Sequence, residues 1–136
     1  MVLKNKEQQI LYTLNEYGLS FEESKYKYNR FDADNEHYIL EIKSREKFYN
    51  SVVIEFDKFS YNLFYSQMKD KHFAYAVRME KKIYVFNITR LVQQDYDFGW
   101  EWRDMPRTTE FGHNEKIKKL VGYIDINKKA KDYKIL

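Results

Sequence analysis

The 136-residue sequence has no cysteine, a single proline and four glycines. The absence of cysteine excludes disulfides, thiolate nucleophiles and cysteine-ligated zinc sites. No apolar run approaches the roughly 20 residues of a membrane-spanning helix, and residues 1–6 lack the apolar core of a signal peptide. The three histidines are dispersed, with no two at metal-ligand spacing. We therefore expect a soluble cytoplasmic protein with neither a membrane anchor nor a zinc site.

Aromatic and charged residues, by contrast, are abundant, at 18% and 33% of the chain. The length and a 43% hydrophobic content suit one globular domain over residues 1–136. A net charge of +3 permits a nucleic-acid partner without demanding one. The wealth of Lys, Asn, Ile, Tyr and Phe is typical of an AT-rich bacterial or phage genome, which would place the protein in the host cytoplasm.

The most informative stretch covers residues 28–45, where two predicted strands flank the polar turn Asp34-Asn35-Glu36. Side chains along a strand alternate between its two faces. Glu41 and Lys43, two residues apart on the second strand, therefore share a face. The alternative interpretation of that face is a solvated row of charges that also includes Arg45.

The length of the turn decides which aspartate joins this face. A two-residue tip, either Asp34-Asn35 or Asn35-Glu36, pairs even positions with odd ones and places Asp32 on the face of Glu41. A three-residue tip brings Asp34 to that face instead. Both alternatives leave one aspartate beside Glu41.

Two carboxylates beside an amine suit the chemistry of phosphate transfer. Mg²⁺ prefers one or two carboxylates together with waters and phosphate oxygens, and it can polarise a phosphoryl group and help to make hydroxide from water. A lysine at this position could orient or deprotonate the water, or neutralise charge on the phosphate.

This layout resembles the PD-(D/E)XK nuclease superfamily, whose signature is an aspartate followed, on the next strand, by Glu-x-Lys. The matching residues are Asp32 and Glu41-Ile42-Lys43, while Phe31 stands where the family name has proline. The resemblance implies that Asp32, Glu41 and the Ile42 carbonyl bind Mg²⁺, with Mn²⁺ as a substitute, and that Lys43 positions or activates the attacking water.

A second point of resemblance follows along the chain. In phage-encoded members, a helix opening with Ile-Glu-x-x-Lys comes after the Glu-x-Lys strand, and the sequence has Ile54-Glu55-Phe56-Asp57-Lys58. By this resemblance Lys58 contacts a substrate phosphate or supports the metal-bound waters, Arg45 contacts substrate, and Glu55 supports the site. The alternative is an ordinary surface ion pair between Glu55 and Lys58.

The same resemblance suggests one more acidic residue. Residues 7–23 read as a helix that Gly18 could end, and superfamily members often carry an acid on this helix. Glu16 is the candidate, against the alternative of a solvated helix charge.

The order of predicted elements also fits the superfamily. A second helix is predicted over residues 51–68, although Val52–Ile54 could equally be a strand. A strand pair follows at residues 73–80 and 82–88, with Ala74 and Ala76 leaving room for a close helix. We expect an α/β fold with a central mixed β-sheet flanked by helices, the restriction-endonuclease-like αβββαβ core, over about residues 7–90. The core needs one more strand, for which Tyr26–Phe31 is the candidate.

The remainder is predicted as an extension of this core. Residues 92–114 are expected to form a long aromatic loop, in which Trp100 and Trp102 either stack on bases or pin the loop to the body. Residues 115–136 are expected to form a basic β-hairpin.

The leading functional hypothesis is a Mg²⁺-dependent deoxyribonuclease, expected as a homodimer because one such site cuts one strand. The first alternative is a catalytically inactive nucleic-acid-binding or phage accessory module of the same fold. A second alternative is a protein-interaction domain whose contact patch is the tryptophan loop.

Overall fold

The computed structural model describes residues 3, 5–25, 30–106 and 116–135. The helices are α1 (Asn5–Glu16), α2 (Phe56–Met68) and α3 (Ile88–Gln93). The strands are β1 (Glu22–Glu23), β2 (Ala33–Asp34), β3 (Tyr38–Arg45), β4 (Ser51–Glu55), β5 (His72–Met79), β6 (Lys82–Asn87), β7 (Glu101–Pro106), β8 (Lys116–Asp125) and β9 (Lys131–Lys134). No helix in these ranges is long and apolar enough to cross a membrane.

Six strands form the central sheet, in the order β1-β2-β3-β5-β6-β9. The middle pair, β3 and β5, runs parallel, and each of the other neighbouring pairs runs antiparallel. Buried residues dominate β5 on both of its faces, as expected for a strand inside a covered sheet. The sheet is therefore mixed and has helices on both sides.

Helix α1 covers one face of this sheet. Its buried Ile10 and Leu14 belong to a cluster that also contains Leu40, Ala74 and Ala76. The small alanine side chains allow the helix to approach the sheet closely. The predicted close packing of a helix on this face is confirmed.

Helix α2 and strand β4 cover the opposite face, the one that carries Glu41. Phe59 of α2 is at the centre, with its ring 5.1 Å from that of Phe98 and 4.8 Å from that of Trp100. The same cluster includes Tyr75 and Val77 of β5. This aromatic core joins the central sheet to a second, smaller one.

The smaller sheet has three antiparallel strands in the order β4-β8-β7. We call residues 101–106 and 116–121, where β7 and β8 pair, the ribbon. Most side chains of the ribbon are exposed. It lies on the same side of the central sheet as β4, and therefore on the side of the predicted site.

Several predicted boundaries differ from the structure. The first helix ends at Glu16, and Gly18 follows with a φ of +90° that glycine adopts at no steric cost. The second helix starts at Phe56, because Ser51–Glu55 forms strand β4. The additional strand of the central sheet is β1, which pairs with β2 and lies within the range predicted as the first helix. Of the candidate Tyr26–Phe31, residues 26–29 lie outside the described part.

The predictions for the C-terminal part were wrong in topology. The expected loop over residues 92–114 contains the end of α3 and all of β7, and its residues 107–114 lie outside the described part. The expected hairpin over residues 115–136 does not form, because β8 pairs with β4 and β7 whereas β9 pairs with β6. The 3-10 turn Ile126–Lys128 separates the two strands.

Candidate active site

The tip of the β2–β3 hairpin sets the register of the site. Ala33 is opposite Leu40, and the Asn35 N–H donates to the Tyr38 carbonyl at 3.0 Å. The tip therefore has two residues, as one alternative predicted, but they are 36 and 37 rather than 34–35 or 35–36. The Asn35 side chain explains the shift, because its Oδ1 accepts from the N–H groups of residues 37 and 38.

Followed one residue beyond β2, this register brings Asp32 beside Glu41. The Asp32 N–H donates to the Leu40 carbonyl at 2.9 Å, and the charge of Asp32 raises the pKa of Glu41. Asp34 points to the same face but lies one strand period further on, where it pairs with Lys71 Nζ at 3.3 Å. Of the two candidate aspartates, the structure therefore places Asp32 next to Glu41.

A backbone hydrogen bond fixes the Asp32 carboxylate. Its Oδ2 accepts from the Ile42 N–H at 2.7 Å, and the residue is only 6% exposed. Burial raises the pKa of Asp32 to about 6, although the Ile42 hydrogen bond opposes the shift. The N–H and carbonyl of a strand residue point the same way, so the Ile42 carbonyl faces the same edge of β3.

Glu41 is more deeply buried, at 4% exposure. Burial and the neighbouring charge of Asp32 raise its pKa to about 8. Lys58 Nζ lies 3.2 Å from Glu41 Oε1 and offsets part of this cost. The effect of Asp32 on the pKa of Glu41 means that the two carboxylates interact electrostatically across the strand pair.

Lys43 lies on the face of Glu41 and is half-buried. Burial, followed by the positive charge of Lys58, lowers the pKa of its amine. Lys43 lines the same small cleft as Glu41 and Lys58. A lowered pKa makes an amine a better proton acceptor at neutral pH.

Lys58 and Glu55 lie at the junction of β4 and α2, next to the site. Burial alone would lower the pKa of Lys58, but the carboxylate of Glu41 raises it. Glu55 precedes the first residue of α2 and pairs with Lys119 Nζ at 2.7 Å. Burial would raise the pKa of Glu55, but the hydrogen bond from Lys119 and its charge lower it. Glu55 and Lys58, which form an ion pair in the alternative interpretation, are thus each paired with a different residue.

Helix α1 contributes a different acid from the predicted one. The charge of Glu7 raises the pKa of Asp32. Glu16 is exposed at the other end of α1, about 13 Å along the helix axis from Glu7 at 1.5 Å per residue. The structure therefore brings Glu7 within electrostatic reach of Asp32 and leaves the predicted residue, Glu16, at the far end of the helix.

The two tryptophans lie outside this cluster. Trp100 is packed between Phe59 and Phe98, with ring centroids 4.8 and 5.4 Å away. Trp102 is 66% exposed on the ribbon. Trp100 therefore anchors this segment to the aromatic core, and of the two tryptophans only Trp102 is exposed enough to contact a partner. Lys119 was not predicted, because no local sequence signal connects it with the site; the pairing of β8 with β4 brings it to Glu55.

The donor set suits Mg²⁺. Within the described residues, no group of three or more His, Cys, Asp or Glu side chains forms a closed metal cage. Mg²⁺ does not need one, because it keeps several waters and takes one or two carboxylates. Two buried carboxylates that repel each other, with a backbone carbonyl on the same edge, are compatible with a small divalent cation.

Comparisons with known proteins add a structural relative. Neither a protein-family model nor a curated protein matches the sequence. Among solved structures, the chain is similar to Hjc of Archaeoglobus fulgidus, a Holliday junction resolvase from an archaeal hyperthermophile, with a TM-score of 0.55 and 19% identity over 95% of this chain and 96% of that one. The fold is restriction-endonuclease-like. At this identity the likeness concerns the fold, and the predicted fold class is confirmed.

Proposed function

We propose that the protein is a Mg²⁺-dependent nuclease of the PD-(D/E)XK type that hydrolyses phosphodiester bonds of DNA. The observation that carries the proposal is the pair Asp32–Glu41, buried on one face with the amine of Lys43. Burying two mutually repelling carboxylates costs stability, and a divalent cation would offset that cost. The similarity to the fold of a Holliday junction resolvase is consistent with DNA as substrate.

Each residue has a specific role in this proposal. Asp32, Glu41 and the Ile42 carbonyl hold the cation. When bound, Mg²⁺, or Mn²⁺ in its place, would supply charge stabilisation to the phosphoryl oxygens and favour formation of hydroxide. Lys43 orients the attacking water and takes its proton, which its lowered pKa permits. Lys58 balances the charge of Glu41 before substrate binds and contacts a phosphate oxygen afterwards.

The decisive experiment is a cleavage assay on plasmid, single-stranded and branched DNA, with Mg²⁺, Mn²⁺ or EDTA. We expect wild-type protein to cut at least one of these substrates with Mg²⁺ or Mn²⁺ and none in EDTA. Glu41→Ala and Lys43→Ala should both abolish cutting while circular dichroism shows an intact fold. Glu16→Gln is the matched control and should cut like wild type. Cleavage retained by purified Lys43→Ala would refute the mechanism.

A catalytically inactive nucleic-acid-binding module is the second candidate. The close approach of Lys58 Nζ to Glu41 Oε1 favours it, because the lysine already neutralises one carboxylate. Such a module would bind DNA in a salt-sensitive manner without any need for a divalent cation. The EDTA arm of the same assay, read as binding instead of cleavage, separates the two candidates.

A homodimer belongs to the leading proposal, since a single site of this kind cuts one strand. Light scattering coupled to size-exclusion chromatography would test it, and a monomer at all concentrations would remove it. A phage origin and a location in the host cytoplasm remain predictions from the sequence.

A further inference from the structure

A cavity of about 340 Å³ adjoins the candidate active site. Its lining comes from the end of β3, the following loop and β5 of the central sheet, and from β4, β8 and the ribbon of the smaller sheet. The side chains that matter for its chemistry are Arg45, Tyr49, Tyr75, Arg103, Met105 and Tyr123.

This cavity is continuous with the active site. Arg45, Tyr75 and Met105 line both the cavity and the small cleft that contains Glu41 and Lys43. Residues 41, 43 and 45 share one face of β3, at roughly 7 Å per two residues. We call the cleft and the cavity together the groove. It runs from Glu41 past Lys43 to Arg45, a path of about 13 Å.

Arginine side chains lie on both walls of the cavity. Arg45 comes from β3, and Arg103 comes from the ribbon. Arg103 Nη1 donates to the Tyr123 hydroxyl at 3.2 Å, and this hydroxyl donates to Glu101 Oε1 at 2.6 Å. These hydrogen bonds hold the guanidinium on the face of the ribbon that looks onto the groove, which is also the face from which Lys119 reaches Glu55.

Aromatic surface accompanies the two positive charges. Tyr49 is 50% exposed at the cavity. Tyr123, on β8 just beyond the ribbon, also lines the cavity. Guanidinium groups beside aromatic rings suit a phosphate attached to a base, because arginine binds the anion while a ring stacks on the base.

The size of the cavity selects between kinds of nucleic acid. A volume of about 340 Å³ is near the lower end of the range for small-ligand pockets, about 300–1,000 Å³. It accommodates one base with its sugar, whereas a stacked base pair requires more space. We propose that the groove binds one unpaired nucleotide of the substrate, with its phosphate between Arg45 and Arg103 and its base against Tyr49 or Tyr123. The proposed function is needed only to place the bond that is cut next to this nucleotide.

The test is equilibrium binding in EDTA, which keeps binding separate from cleavage. Two fluorescein-labelled probes are compared by anisotropy: a blunt duplex, and the same duplex with an unpaired 5′ or 3′ extension. We expect wild-type protein to bind one of the extended duplexes more tightly. Arg103→Ala should lose this preference, weakening binding of that probe by about tenfold, the equivalent of one charge-assisted hydrogen bond, with little effect on the blunt duplex.

Lys118→Ala provides a matched control. Lys118 is on the same ribbon but on its opposite face, paired with Asp104 at 3.3 Å in an exposed position. The Lys118→Ala substitution removes one positive charge, so it should weaken binding of both probes by the same small factor. Tyr123→Phe keeps the ring and removes the hydroxyl that orients Arg103, and it should reduce the preference for the extension in part.

Two results would overturn the inference. One is equal binding of blunt and extended duplexes by wild-type protein. The other is the same probe-independent loss in Arg103→Ala and in Lys118→Ala. The proposed function can fail separately. If the protein cuts no DNA with Mg²⁺ or Mn²⁺ but keeps an Arg103-dependent preference for the extended duplex, the nuclease proposal is refuted and the nucleotide-binding inference stands.

Discussion

Asp32 and Glu41 are arranged in a way that opposes folding. Both carboxylates are buried, and burial raises the pKa of each, to about 6 and about 8 respectively. A protein selected only for stability would replace one of them by a neutral residue. A cation held by both acids, as in the proposed function, would remove this cost.

Replacing Glu41 by glutamine should stabilise the protein in EDTA at alkaline pH. The carboxyl has an ordinary pKa of 4.5 and a pKa of about 8 in the folded protein. The folded state thus holds the proton more tightly, and the contribution of the carboxyl to stability is complete below pH 4.5 and is lost as the pH rises through 8.

For Glu41→Gln we expect a gain of about 1–3 kcal/mol in the free energy of unfolding above pH 8, the usual cost of an uncompensated buried polar group. The gain should shrink towards zero near pH 4.5. Urea denaturation at both pH values in EDTA measures it. A variant that is equally destabilised at both pH values would show that the pair with Lys58 outweighs the burial of the charge.

At the level of elements, helix α1 brings its N-terminal end to the site. Glu7 acts on Asp32 from this end, while the C-terminal end and Glu16 lie away from it. Their positions on one helix make the two glutamates a natural pair for comparison.

We expect Glu7→Gln to reduce the rise in melting temperature that Mg²⁺ or Mn²⁺ produces, because the site loses one negative charge that attracts the cation. Glu16→Gln should leave the rise unchanged. Thermal unfolding with and without the metal measures both. Equal behaviour of the two variants would mean that Glu7 does not contribute to cation binding.

Strand β8 makes close contact with the aromatic core at Gly122. A Cβ atom added there would lie 2.9 Å from Trp100 Cζ3 and 3.0 Å from Phe98 Cβ. We expect Gly122→Ala to destabilise the protein by about 1–3 kcal/mol, the range for overpacking a core. Combining it with Trp100→Leu should recover part of the loss. Chemical denaturation of the single and double variants measures the coupling, and strictly additive effects would contradict the predicted clash.

The elements that the sequence predicted are those with a clear local signal. Alternation on β3 and the even–odd rule for a two-residue tip were enough to bring Asp32 to Glu41. Strand β7 was missed because it is exposed on both faces and therefore lacks alternation. The β8–β9 hairpin was predicted wrongly because the Asp125 side chain, which accepts from the Asn127 N–H at 2.8 Å, starts a 3-10 turn that directs β9 to a different sheet.

At the scale of the whole molecule, the two sheets share one aromatic core and the ribbon extends from it. Contacts such as Lys119–Glu55 and the effect of Glu7 on Asp32 depend on how distant segments pack. One sequence contains no local signal for such pairs. This is why Asp32 and Glu41 could be predicted from the sequence, whereas the contributions of Glu7 and Lys119 could not.

Hydrogen exchange should separate the ribbon from the central sheet. Most side chains of residues 101–105, which carry the ribbon amides of β7, are exposed, whereas the amides of β3 and β5 lie between two covered faces. We expect the ribbon amides to exchange through local opening and the β3–β5 amides only through global unfolding. Mass spectrometry of peptides from both regions measures this. Equal protection would mean that the ribbon unfolds together with the core.

The hydrogen bond from the Ile42 amide to Asp32 Oδ2 has a consequence for ion discrimination. With one oxygen engaged by the backbone, the carboxylate offers chiefly Oδ1 and favours monodentate ligation. Ca²⁺ takes six to eight oxygens and often binds carboxylates through both atoms, whereas the smaller Mg²⁺ accepts single oxygens in a tight octahedron. A peptide N–H, set in place as the strands pair, would thus bias the protein against calcium before any ion arrives.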